Sequence, residues 1–207
     1  MSTPGDARIE LVTGGPANTW IVGDDDEVIV IDPGTAAPVL AAVGEREILA
    51  VICTHGHAGH AAGAPEVASR DEAPVALHPL DRGAWRDLHA ADPDIDMGDG
   101  GQFDVAGVSL EVVHAPGHSR GSVLLYCEAL DAAFTGDVVS DRGPVPRADG
   151  FPNWGRQLDA IGAHVLTLPA QTRLLPGHGE ELTVATADKS FGSWYSAGPD
   201  QPDEAEL

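Results

Sequence analysis

The segment Thr54-His55-Gly56-His57-Ala58-Gly59-His60 puts three histidines within six positions at the end of an apolar run. Neutral imidazole is a borderline-soft nitrogen donor, and imidazoles converging from one loop are a usual way to hold Zn or Fe. Three unrelated surface histidines would be the plainer explanation, but further motifs of the same kind follow. Ala115-Pro116-Gly117-His118-Ser119, Thr135-Gly136-Asp137 and Leu174-Leu175-Pro176-Gly177-His178-Gly179 each place an imidazole or carboxylate after an apolar stretch. Taken singly, a Gly-Asp is an ordinary turn and a Pro-Gly-His is weak. Four such endings in series point to one metal-handling site.

Those residues need elements to hold them. Ile48 to Cys53 is continuous and β-branched, as suits a strand buried on both faces, and its histidines would sit past the C-terminal edge where open α/β sheets bind ligands. Val108 to Val113 reads as a second strand, and Leu124–Cys127 with Ala132–Thr135 reads as a hairpin ending in Gly136-Asp137. In each case the strand fixes the backbone and a glycine lets it turn sharply beside a crowded site. Arg8 to Thr13 and Trp20 to Asp32 read as two strands, Pro38 to Val43 and Ala61 to Ser69 as helices, and Val75 to His78 as a short strand. Leu80 to Ala91 is predicted helical, and the acidic, Gly-rich stretch Asp92 to Gly101 is predicted to be a loop. At 207 residues the chain suits one domain, with residues 1–190 folded and 191–207 an acidic, disordered tail.

On Thr54-His55-Gly56-His57, His60, Pro116-Gly117-His118, Thr135-Gly136-Asp137, Pro176-Gly177-His178-Gly179 and the early Ile29-Val30-Ile31-Asp32-Pro33-Gly34, the chain resembles the metallo-β-lactamase superfamily, in particular its glyoxalase II-like hydrolases. The resemblance implies an α/β fold, a four-layer αββα sandwich, with a binuclear site along one edge. Carried over residue by residue, His55, His57 and His118 would hold one metal, His60 and His178 a second, and Asp137 would bridge both and serve in catalysis. Zn, as one or two ions, is the implied cofactor, with Fe as the alternative. Hydroxide between the metals would be the nucleophile. Glyoxalase II proteins also carry a C-terminal helical domain that helps to grip glutathione, and too little chain follows His178 for one, which favours a smaller thioester or another ester as substrate.

This chain departs from the family at Gly59, where the family has an aspartate that binds the second metal and accepts a hydrogen bond from the nucleophile. Three readings follow. His60, His178 and Asp137 with solvent could still complete a tetrahedral second site, giving a slower hydrolase. One retained metal with histidines and a carboxylate would resemble the mono-iron persulfide dioxygenases of the same superfamily, an oxidoreductase. Or the chain is a catalytically weakened member that only binds a ligand. Retention of both His60 and His178 favours the first.

With 33 acidic against 11 basic residues, a net charge of −22 and a single lysine, Lys189, the composition lacks the clustered cations that nucleic-acid phosphates or an anionic membrane surface require. A small-molecule substrate is the expected partner, and the oligomeric state is open. The start of the chain shows no targeting signal and no run is long enough to span a bilayer, so a cytoplasmic enzyme is expected. Cys53 and Cys127 lie in apolar runs, as buried hydrophobes do. Val138 to Trp154 follows Asp137 and contains Arg142, Arg147, Phe151 and Trp154, so Arg142 and Arg147 are candidates to bind a substrate carboxylate; alternatively they offset Asp141 and Asp149. His114 is expected to pack or hydrogen-bond at a strand end, and His78, His89 and His164 to lie outside the metal site.

Overall fold

The computed structural model describes residues 7–145 and 153–197. The chain forms two six-stranded sheets, ordered β1-β2-β3-β4-β5-β6 and β12-β11-β10-β9-β8-β7. The first contains β1 (Arg8–Val12), β2 (Thr19–Gly23), β3 (Glu27–Ile31), β4 (Glu47–Ile52), β5 (Val75–Leu77) and β6 (Ile95–Asp96). The second contains β7 (Gln102–Val105), β8 (Val108–His114), β9 (Val123–Cys127), β10 (Ala132–Gly136), β11 (Arg173–Pro176) and β12 (Leu182–Thr183). Helices α1 (Ala36–Val43), α2 (Ala58–Ala61), α3 (Ala64–Ser69) and α4 (Arg82–Arg86) belong to the first half, and α5 (Trp154–Ala160) and α6 (Val184–Ala197) to the second.

Alternation along the strands builds the four layers. In β3, Ile29 and Ile31 face the core between the sheets, while Val28 and Val30 face α1 and α3. In β9 and β10, Val123, Leu125 and Phe134 point inward, and Leu124 and Ala133 meet α5 and α6. Because strands covered on both faces need apolar residues at every position, they read as unbroken hydrophobic runs. The expected αββα sandwich is the observed one. Trp20 and Phe134 meet edge to face across the two sheets at 6.2 Å, and the Trp20 Nε1–H donates to Pro176 O at 3.1 Å. Phe134 is fully buried, so Phe134→Ala is expected to destabilise the fold by about 3–5 kcal/mol, a fall in Tm on the order of 10 °C that calorimetry would register.

Several elements differ from the sequence expectation. Trp20 to Asp32 is two strands, because Asp24 Oδ1 accepts from Asp26 N and Glu27 N and closes a hairpin within the run. The helix predicted over Leu80 to Ala91 is only the short α4: the Trp85 indole is buried and donates to Ala91 O at 2.7 Å, which folds the chain back. The loop from Asp92 contains β6, paired in parallel with β5. The boundary set at residue 190 falls inside α6, where Phe191 and Trp194 pack against the core of the second sheet's outer face. Residues 191–197 are therefore helical, and the rest of the expected tail lies outside the described residues. Cys53 and Cys127 are buried free thiols, and no helix among the described residues is long and apolar enough to cross a membrane.

Candidate metal centre

The six ligand candidates come from four strand ends at one edge of the sandwich. His55 and His57 follow β4, His60 sits in α2, His118 follows β8, Asp137 follows β10 and His178 follows β11. Parallel pairing of β10 with β11 sets Gly136 opposite Pro176, and Gly177 N donates to Gly136 O at 2.8 Å, so Asp137 and His178 emerge side by side. Gly177 is required here: a Cβ on it would lie 2.4 Å from His60 Cε1 and 2.8 Å from Asp137 Oδ1.

The donor atoms fall into two groups that share Asp137. His55, His57, His118 and Asp137 form one and His60, Asp137 and His178 the other, with the atoms of each group within 4.8 Å of one another. Asp137 Oδ2 lies 3.3 Å from His118 Nε2 and 3.8 Å from His55 Nε2, while Oδ1 lies 3.4 Å from His60 Nε2 and 3.6 Å from His178 Nε2. His57 Nδ1 and His118 Nε2 are 3.0 Å apart. All are buried except His57, which is partly buried, and His178, whose side chain is 44% exposed and marks the open side.

Hydrogen bonds orient the rings. Thr54 Oγ1 donates to Asp32 Oδ2 at 2.7 Å and so accepts from His55 Nδ1 at 3.2 Å, leaving the His55 Nε2 lone pair aimed at Asp137. His60 Nδ1 donates to Asp32 Oδ2 at 2.9 Å, and His118 Nδ1 donates to Val145 O at 3.0 Å. Fixing the outer nitrogen of an imidazole in this way is how proteins present the inner one to a metal. The donor set also fits a cation by what it lacks: His55 Nε2 and Asp137 Oδ1 are buried with no hydrogen-bond partner, a costly state without an ion.

Electrostatics agree with this geometry. Burial, and then the neighbouring His60 and His118, push the His55 pKa well below its ordinary value, so its lone pair is free. At His60 burial acts to lower the pKa, but Asp32 and Asp137 outweigh it and lift it from 6.5 to about 10. At Asp137 burial acts to raise the pKa, and His60, with His118 and His178, brings it from 3.8 to about 2. An ion held by the second group would have to displace a proton from His60. The sign of the metal-free stability follows. The His60 contribution is full below pH 6.5 and lost as pH rises through about 10, and the Asp137 contribution is full above pH 3.8 and lost as pH falls toward 2. Chelator-treated protein is expected to melt at progressively lower temperature between pH 6.5 and 10; a flat Tm across that range would show that the His60 ion pairs contribute nothing.

Two positioning groups had no role assigned from sequence. Asp32, 1% exposed, accepts from Thr54 N as well as from Thr54 Oγ1 and His60; a strand-terminal acid after Ile29-Val30-Ile31 was its signal. Gln157 Nε2 donates to Asp137 O at 3.0 Å and Val138 O at 2.9 Å, tying the Asp137 loop to α5, and nothing local in the sequence announced that. Arg142 lies exposed on the turn closed by Ser140 and Gly143, next to Asp141, whose carboxylate abuts Gly179. Arg147 and Phe151 lie outside the described residues. His114 stays clear of the centre, its Nε2 donating to Arg120 O at 2.9 Å and its ring stacked on His78. His89 donates to Ala61 O.

Residues 12–179 match the metallo-beta-lactamase superfamily model. A probable metallo-hydrolase of Bacillus subtilis, YqgX, is 31% identical over 188 residues, spanning 82% of this chain and 88% of that protein. The hydroxyacylglutathione hydrolase of Roseobacter denitrificans is 32% identical over 164 residues, spanning 78% of this chain and 60% of that longer enzyme. The crystal structure of TTHA1623 in a di-iron-bound form superposes with a TM-score of 0.71 at 29% identity, covering 87% of this chain and 97% of that one.

Proposed function

This chain belongs to the metallo-beta-lactamase superfamily, and on that premise we propose that it is a metal-dependent hydrolase of a thioester or related ester. The observation that carries the reading is Asp137, whose two oxygens divide between two histidine groups that are both assembled. When bound there, divalent ions supply a nucleophile from water by lowering its pKa toward ~7 and polarise the carbonyl under attack. The chain's own groups do the rest. Asp32 and Val145 O hold protons on the outer nitrogens of His60 and His118, so the inner nitrogens stay available. Asp137 supplies a fixed negative charge, and the exposed face of His178 marks where a carbonyl would enter. Zn and Fe both suit three imidazoles with a carboxylate.

The likeness to the hydrolase of Roseobacter named for hydroxyacylglutathione supports a thioester. The test has two parts. Elemental mass spectrometry on protein purified without added metal is expected to find two ions per chain, and release of free thiol from short acyl thioesters is expected to be metal-dependent and lost on chelation. Two bound ions with no hydrolysis of any thioester or ester would defeat the proposal. One iron per chain with oxygen uptake on a thiol persulfide would replace it by the dioxygenase reading. Arg142, exposed on the turn whose Asp141 carboxylate abuts Gly179, is proposed to bind a substrate carboxylate. For Arg142→Ala we expect a KM severalfold higher at unchanged kcat on an anionic substrate, and an unchanged KM would remove that role.

A further inference from the structure

Two of the three loops of the first ligand group, those of His55–His57 and of His118, follow strands of different sheets, and pairing within either sheet does not set the distance between them. One side chain touches both. Asp81, 5% exposed, lies between β5 and α4. Its Oδ2 accepts from Gly56 N at 2.9 Å and from Ser119 Oγ at 2.6 Å, and its Oδ1 accepts from Gly121 N at 2.7 Å. Gly56 separates His55 from His57, and Ser119 follows His118. Ser119 is itself locked to Ser122, with Oγ to Oγ at 2.7 Å and Ser119 N donating to Ser122 Oγ at 3.0 Å, so the carboxylate grips a closed turn. Both glycines make room for Asp81: a Cβ on Gly56 would come within 2.8 Å of its backbone oxygen, and one on Gly121 within 2.8 Å of its Oδ1.

We infer that Asp81 is a positioning residue, a clamp that sets the separation of the His55–His57 loop from the His118 loop and with it the geometry of the first ligand group. The inference rests on the reading that this group holds a metal. An asparagine of the same shape keeps one acceptor but sets an amide donor against a backbone N–H or the Ser119 hydroxyl, so the three bonds cannot all survive.

The test isolates the first group in a His178→Ala background, which disables only the second. Chelator-treated Asp81→Asn/His178→Ala and His178→Ala are titrated with Co(II), reading affinity by competition with a chromophoric chelator and ligand geometry from the cobalt visible spectrum. Expected is a loss of about 10–100-fold in affinity, the range for groups that orient metal ligands, with an altered spectrum and unchanged far-UV circular dichroism. A merely structural residue would lower Tm and leave the spectrum alone. An affinity within about twofold of the control and an identical spectrum overturn the inference. If Asp81→Asn does not fold, Ser119→Ala, which removes one of the three donors and leaves the carboxylate, decides: a severalfold weaker and spectrally altered site supports the clamp, and no change overturns it. Failure of His178→Ala itself to bind cobalt would remove the metal reading, a result distinct from either.

Discussion

Asp137→Ala is expected to empty both metal groups and to lower kcat/KM by more than about a hundredfold, since outer partners of metal ligands alone are worth about 10–100-fold. Each of the other five candidates serves one group, whereas the Asp137 oxygens lie within 3.3 to 3.8 Å of His55, His118, His60 and His178. It is also the one carboxylate in either group. Without it, two divalent charges would face imidazoles alone. Metal content and turnover should fall together, while His178→Ala should cost one ion and leave the other. The residue is 5% exposed and its loop is held through backbone oxygens by Gln157, so the truncated protein should keep its fold. Retention of two tightly bound ions by Asp137→Ala would refute the bridging arrangement.

Gly59→Asp is expected to work in the opposite direction, tightening the second ion by at least about tenfold, more than an outer-sphere change typically gives at its lower limit, and raising turnover. The fold has room for it. A Cβ on Gly59 would meet only Pro16 Cβ, at 3.9 Å, which is ordinary contact. Pro16 lies two residues before Asn18, whose backbone N–H donates to Gly177 O at 2.7 Å and whose Nδ2 donates to Pro176 O and Gly179 O at 3.0 Å. The new side chain would thus rise beside the loop that carries His178, where the second group has no carboxylate of its own. Helix propensity at this position changes by only a few tenths of a kcal/mol, so an effect on metal affinity would come from coordination. Metal titration monitored by competing chelator and steady-state rates on the same thioester would measure both. A tighter second ion with lower turnover would make Gly59 an adaptation to the natural substrate, and an unchanged affinity would show that the second group is already complete.

The ligand types and their placement at strand ends were legible in the sequence because both are local properties. Ile48 to Cys53 had to be a buried strand by its unbroken β-branched run, and the residues after it had to leave the sheet at its edge. The same holds for His118, Asp137 and His178, each one step beyond an apolar run and a glycine. Gly59 as a missing carboxylate was visible only through the resemblance to the family. What local pattern could not supply is which strands become neighbours. Trp20 to Asp32 is apolar on both sides of an acidic hairpin, and only the Asp24 side chain capping Asp26 and Glu27 shows where the run divides. Phe191 and Trp194 read as part of a polar tail until α6 lays them on the second sheet's outer face. Asp32 showed in the sequence only as a strand-terminal acid, and Asp81 as an ordinary one. Tertiary structure alone made one the anchor of His60 and the other a bridge between the His55–His57 and His118 loops, because a buried carboxylate must find donors and the donors here come from chain segments 22 to 40 residues away.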